Sequence, residues 1–410
     1  MIANSQPNRV AIACGGTGGH LFPGLAVGRE LAALGCKVTL LVSPKDVDQT
    51  AVAGLTGLDV ATLPAVGLQG KNYPAFVFGF WKAYRASLRL FKTPGSKPDA
   101  VLAMGGFTAA PPVIAGRRLG AAAFLHESNT IPGRANRLLA RWVDRAFVGF
   151  PSAADRLRAA SSDCVGTPVR ESIAHLRNHR DTAAARAELG LDPSRPVLLV
   201  TGGSQGARGL NTLVTSALPE LARVKPDLQF IHLSGTPDFD AVRIAHAGLG
   251  ARSVVRPFLK EMELALAAAD IVISRAGASS MAELAALRLP SILVPLPTAQ
   301  DNHQFHNADA FVRSGAAIAL DQGRSTAAEL ITQVVALLRD ADRRNTMQAA
   351  LAEADSPDAA AVIAGSIVEH LREPFTNAMR RKLKPAVKPQ AKTADKPLPR
   401  PALVPAKEVA

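Results

Sequence analysis

VAIACGGTGGH at residues 10–20 and VLLVTGGSQGA at residues 197–207 share one plan: an apolar run, a turn nearly free of side-chain bulk, and the start of a helical period. Such a strand, turn and helix N-terminus present backbone N–H groups and a positive dipole end to an anion. One unit in either half predicts two similar nucleotide-fold lobes that gather a phosphorylated donor and a second reactant. Outward from the first unit, residues 37–42, 100–104 and 122–125 read as strands, with helical periods over 23–34 and 109–119. The second half repeats the scheme, with strands at 230–234, 271–274 and 291–294 and helices at 210–221, 280–287 and 302–313. Continuous apolar strands alternating with helices indicate parallel α/β sheets covered on both faces. Pro23 suits a first helical turn, where its missing N–H costs little.

A boundary at Gly166-Thr167-Pro168 predicts an N-terminal lobe over 1–168 and a C-terminal lobe over 169–355, followed by a closing helix over 356–374. Residues 375–410 differ in kind. They hold nine Lys or Arg against Asp395 and Glu408, a net +7 of the chain's +13, together with six prolines between Pro385 and Pro405. Such a composition buries too little apolar surface to offset the entropy of ordering, so a disordered basic tail is expected. It serves either solubility or attraction to anionic lipid or nucleic acid. The first nine residues are polar and the next apolar run is short, which predicts a chain without a secretory signal. Cys14, Cys36 and Cys164 form no Cys-x-x-Cys pair and suggest neither a disulfide framework nor a thiolate metal site.

Neither glycine turn belongs to a common nucleotide class. A dinucleotide fingerprint counted from Gly16 and Gly18 meets Leu21 where its third glycine belongs. The end of the second strand holds Val42 and Ser43, with Asp46 late for an adenosine ribose. The Lys-Ser/Thr of a triphosphate loop is missing from both turns.

Several motifs in order resemble another class. GGTGGH with FPGLAV at 15–27, MGGF at 104–107, HESN at 126–129, GTPVR at 166–170, GGSQGAR at 202–208, SRAGASSMAE at 274–283 and QDNHQFHNA at 300–308 resemble the GT-B glycosyltransferases of family 28. The resemblance spans roughly residues 10–372. Ser128 departs from it, since many members carry Gln there. The resemblance implies two Rossmann-like lobes facing a cleft. It also implies GlcNAc transfer from UDP-GlcNAc to the 4-hydroxyl of a lipid-linked MurNAc-pentapeptide, inverting and without metal or cofactor, at the cytoplasmic face of the inner membrane.

By the same resemblance, Ser204, Gln205 and Arg170 hold the donor diphosphate, Leu259 meets uracil, and Gln304 and Asn307 meet the GlcNAc hydroxyls. Glu283 binds the ribose, although Ser280-x-x-Glu283 also has capping-box spacing. From the first lobe, Thr17, Gly18, Gly19 and Asn129 approach the sugar and the nucleophile. His20 is the leading general base, because a neutral imidazole near a helix N-terminus accepts protons near pH 7. Glu127 is its rival. His303 and His306 stand three apart with Asp301 nearby, yet nothing in the sequence completes a metal site.

Residues 73–91 concentrate seven of the nineteen aromatics, among them Phe76, Phe78, Phe80 and Trp81, interleaved with Lys82, Arg85 and Arg89. This stretch suits either docking on an anionic bilayer or an aromatic core helix with basic residues facing water. No nucleic-acid reading module is recognised. A UDP-GlcNAc 2-epimerase and a non-catalytic sugar-nucleotide-binding protein remain the alternatives.

Overall fold

A computed structural model describes residues 7–16, 18–64, 73–203 and 207–372. Two parallel sheets carry the described fold. Strands β1 (Arg9–Ala13), β2 (Lys37–Val42), β3 (Asp59–Thr62), β4 (Ala100–Ala103), β5 (Ala122–Glu127), β6 (Arg145–Val148) and β7 (Ser162–Cys164) make the first, in the order β3-β2-β1-β4-β5-β6-β7. Strands β8 (Val197–Thr201), β9 (Gln229–Leu233), β10 (Ser253–Arg256), β11 (Ile271–Ser274), β12 (Ser291–Leu293) and β13 (Ile318–Ala319) make the second, in the order β10-β9-β8-β11-β12-β13. Both are doubly wound about the strand that precedes a glycine turn, β1 or β8, so ligand crevices fall beyond the carboxyl ends of these strands.

The central strands are mostly apolar because helices cover both faces, and the polar residues they do bury, such as His232 in β9 and His126 and Glu127 in β5, are hydrogen-bonded. On one face of the first sheet, Tyr84, Phe91, Val113 and Leu139 pack from three helices. On the other, the helix Gly18–Ala33 lies beside the last described helix, Ala359–Arg372, whose Ile363, Ala364 and Ile367 share a core with Ile12, Leu31 and Phe124. The chain therefore returns to the first lobe after completing the second.

The helix over Gly18–Ala33 begins five residues before Pro23, which sits inside it. The first-turn reading of Pro23 is thus corrected, and Gly19, four residues earlier, lacks its helical donor. The lobes are joined by two crossings that touch. Gly166 adopts φ +81°, and a Cβ there would collide with the Ser356 side chain, so side-chain bulk is excluded where the crossings meet.

A buried polar chain braces the second lobe. His232 Nε2 faces Asn211 Oδ1 at 3.1 Å, its Nδ1 faces His246 Nε2 at 3.1 Å, and His246 Nδ1 faces the Ser253 hydroxyl at 3.0 Å. Burial pushes His232 down to about 3 and His246 down to about 4. Below the ordinary value of 6.5 the unfolded chain takes up protons that the folded chain refuses, so stability is full above that pH and falls toward pH 4. The urea midpoint is expected to drop between pH 7 and 4.5, and less steeply in His232→Phe. An equal slope in that variant removes the pair as the cause.

Candidate active site

The start of the first glycine turn is held by the chain itself. Asp48, buried in the helix Asp46–Val52, accepts from the Gly16 amide at 2.6 Å, the Ser43 amide at 3.1 Å and the Ser43 hydroxyl at 2.5 Å. Lys45 Nζ donates to the Gly16 carbonyl and Thr108 Oγ1 to that of Gly15. The Asp48 carboxylate thus takes the Gly16 amide, one of those that the first turn presents. Asp48 escaped the sequence reading because its link to Gly16 spans 32 residues.

Gly18 and Gly19 open the helix, and His20 is its third residue. Gly105, at φ +121°, leaves room for the ring, since a Cβ there would fall 2.8 Å from His20 Nε2. The MGGF string is where the backbone yields to the imidazole. Burial holds His20 below the ordinary histidine range, with His303 adding to the fall while Glu127 and Asp48 oppose it. A neutral ring is therefore available at pH 7.

Glu127 ends β5 and is almost fully buried. Its Oε1 accepts from the amide and side-chain nitrogens of Asn129 at 2.9 and 3.0 Å, and its Oε2 from the Gly133 amide at 2.9 Å and Asn136 Nδ2 at 2.8 Å. With four donors the carboxylate is saturated and organises the loop. Neighbouring His126 directs Nε2 at the Gly166 carbonyl, 2.9 Å away at the lobe crossing, while Ser128 Oγ lies 3.4 Å from His126 Nδ1.

Asn307, from the helix His303–Arg313, ties this loop to the other lobe. Its Oδ1 accepts from the Thr130 amide at 3.0 Å and hydroxyl at 2.9 Å, while its Nδ2 donates to Asn129 Oδ1 at 3.0 Å and the Ala276 carbonyl at 3.1 Å. The side chain is 0% exposed and fully used, so in this arrangement it bridges lobes and has no capacity left for a sugar hydroxyl. Nearby, Arg134 and Arg137 hold Asp301, which with Asn302 adopts a left-handed backbone at φ 50° and 54°. The Gln304 Oε1 accepts from the Leu296 amide at 2.9 Å.

Arg170 and Glu283 meet each other. Arg170 Nε donates to Glu283 Oε1 at 2.7 Å, and the guanidinium carbon lies 3.9 Å above the centre of the Phe22 ring from the first lobe. Burial raises the Glu283 carboxyl, and Arg170 opposes the rise. The helix around it starts at Ala278 with Gly277 as N-cap, so Ser280 is its third residue. The capping-box alternative therefore fails. Phe22 was missed because its role depends on a cation 148 residues away. Leu259 packs partly buried against the second-lobe core. Thr17, Ser204, Gln205 and the tail 375–410 lie outside the described residues.

The aromatic stretch folds as the helix Tyr73–Lys92, and its rings divide. Phe76 packs edge-on to Phe107 with centroids 5.2 Å apart, and Phe80 turns toward the core. Phe78 is 71% and Trp81 55% exposed, beside exposed Val77, Lys82 and Arg85. The outward patch is thus narrower than the seven-ring cluster. No helix among the described residues is long and apolar enough to cross a membrane. Among those residues, no group of three His, Cys, Asp or Glu side chains is arranged to hold a metal ion. His303 Nδ1 instead faces the Gln300 carbonyl at 2.7 Å, and the His306 ring meets Phe305 edge-on.

The glycosyltransferase family 28 N-terminal domain matches residues 10–148 and its C-terminal domain residues 197–363. A protein of Xanthomonas euvesicatoria pv. vesicatoria (strain 85-10) is 38% identical over 88% of this chain and 80% of its own length. One of Anaeromyxobacter sp. (strain K) is 34% identical over 93% of this chain and 99% of its own. Both are named UDP-N-acetylglucosamine–N-acetylmuramyl-(pentapeptide) pyrophosphoryl-undecaprenol N-acetylglucosamine transferase. The crystal structure of MurG from Acinetobacter baumannii superposes with a TM-score of 0.66 at 29% identity, covering 88% of this chain and all of that one.

Proposed function

The chain belongs to glycosyltransferase family 28, a GT-B family, and on that premise we propose how its residues carry out one transfer. It is a glycosyltransferase that moves GlcNAc from UDP-GlcNAc to lipid-linked MurNAc-pentapeptide, the reaction named for its relatives. In our reading the product link is β-1,4 and the step needs no metal. The MurNAc 4-hydroxyl attacks the anomeric carbon from the face opposite UDP. The new C–O bond forms as the bond to the β-phosphate oxygen breaks, UDP leaves with the electron pair, and the hydroxyl proton passes to His20. His20 is preferred to Glu127 because all four acceptor positions of that carboxylate are taken.

On the second lobe, Glu283 keeps Oε2 for the ribose hydroxyls, and Arg170, steadied by Phe22, turns its remaining N–H groups toward the diphosphate. Ser204 and Gln205 hold the diphosphate, Leu259 lines the uracil side, and Gln304 faces the sugar, with Thr17, Gly18, Gly19 and Asn129 opposite. Asn307 acts as a lobe strut. The lobes divide as 1–168 and 169–355, with 356–374 returning and 375–410 a basic tail. The observation that carries this reading is a neutral, part-buried His20 on one lobe within a helical turn of Phe22, which itself covers the Arg170–Glu283 pair on the other.

The test is UDP release by the purified full chain with a short-lipid MurNAc-pentapeptide acceptor, in EDTA, with the linkage read by NMR. Acceptor-dependent release with a β-1,4 product supports the proposal. Loss of activity in EDTA overturns metal independence, and conversion of UDP-GlcNAc without acceptor favours an epimerase.

We further propose that the outward face of Tyr73–Lys92 seats the enzyme on the cytoplasmic face of the anionic inner membrane, rings in the interface and cations on headgroups. Phe78→Ser/Trp81→Ser is expected to cut sedimentation with phosphatidylglycerol vesicles at least tenfold and to leave turnover on a short-lipid acceptor within twofold. Unchanged sedimentation removes the patch.

A further inference from the structure

The helix carrying His20 has a gap in its own hydrogen bonding. Pro23 has no N–H, so the Gly19 carbonyl receives nothing from the position four residues on. Ser279, in the first turn of the facing helix Ala278–Ala286, supplies that donor from the other lobe, its Oγ 2.8 Å from the Gly19 oxygen. Gly19 precedes His20 directly, and Phe22, three residues on along the same face, meets Arg170 across the same gap. The second lobe therefore grips the base-bearing turn at two adjacent points, one of them the carbonyl that Pro23 leaves without a helical donor.

We propose that Ser279 is a positioning residue for the transfer. By completing the Gly19 carbonyl it fixes the first turn of the Gly18–Ala33 helix, and with it the imidazole, against the lobe that holds the donor. It touches neither reacting atom and acts through the backbone of its neighbour lobe. The inference rests on the transfer reading above for its kinetic arm and on geometry alone for its exchange arm.

The test uses the full chain and a double-mutant cycle between Ser279→Ala and Pro23→Ala. The Pro23→Ala change returns an N–H to the helix and with it an internal donor for Gly19. Ser279→Ala is expected to lower kcat about fivefold in the Pro23 background, with the dissociation constant for UDP changed less than twofold. In the Pro23→Ala background the same change is expected to cost less than twofold, and Ser279→Thr, which keeps the hydroxyl, to retain kcat within twofold. Amide exchange over residues 18–24 should quicken several-fold in Ser279→Ala, and this is read whether or not the chain turns over. Equal kcat losses in both backgrounds, a UDP affinity that falls in step with kcat, or unchanged exchange overturns the positioning role. Quickened exchange in a chain without acceptor-dependent UDP release leaves the latch standing and rejects the transfer reading instead.

Discussion

His20→Ala is expected to lower kcat about a thousandfold while UDP binding shifts less than about threefold, since general-base catalysis contributes about 10²–10⁴ and the imidazole is assigned no donor contact. The pH profile supplies the sharper signature. Burial keeps the ring below its ordinary 6.5, so wild-type kcat should fall with decreasing pH through an apparent pKa under that value. In the variant this acid limb should vanish. A variant that keeps wild-type turnover and the same limb would return the base role to an unidentified group.

Asn307→Ala is expected to have the second largest effect. One side chain serves the Thr130 amide and hydroxyl, the Asn129 amide oxygen and the Ala276 carbonyl, all between lobes or at the strand end beneath them. At about 1 kcal/mol for each bond, removal costs the joined arrangement about 3–4 kcal/mol. That predicts a fall of two to three orders of magnitude in kcat/KM for UDP-GlcNAc with far-UV circular dichroism unchanged. Asn307→Asp should do no better, because a carboxylate there faces two oxygens that need a donor. If Asn307→Asp retains kcat/KM, the strut is not needed for turnover.

The sequence made the centre of each sheet legible and left the margins unread. VLLV at 197–200 and IVI at 271–273 announce themselves because strands buried on both faces carry continuous apolar runs. The flanking strands DVAT at 59–62, SDC at 162–164 and SVVR at 253–256 are partly exposed and carry no such run. At the site, residue type was readable and pairing was not. Arg170 and Glu283 could each be named, yet their 2.7 Å contact depends on the lobe arrangement, as does the saturation of Asn307. Pro23 misled for a local reason: proline is favoured at a helix start, and its place in the second turn meets a donor from the other lobe, Ser279, that no local reading of the sequence could supply.

The return of Ala359–Arg372 to the first lobe has a consequence for how the protein is made. Ile12, Leu31 and Phe124 emerge early from the ribosome, but the Ile363 and Ile367 that cover them are synthesised after the whole second lobe. The early half must wait with an oily flank uncovered through most of translation. Nascent-chain stalls placed before residue 359 should therefore hold a first lobe that recruits chaperone and resists protease poorly, and stalls placed well past 372 should not.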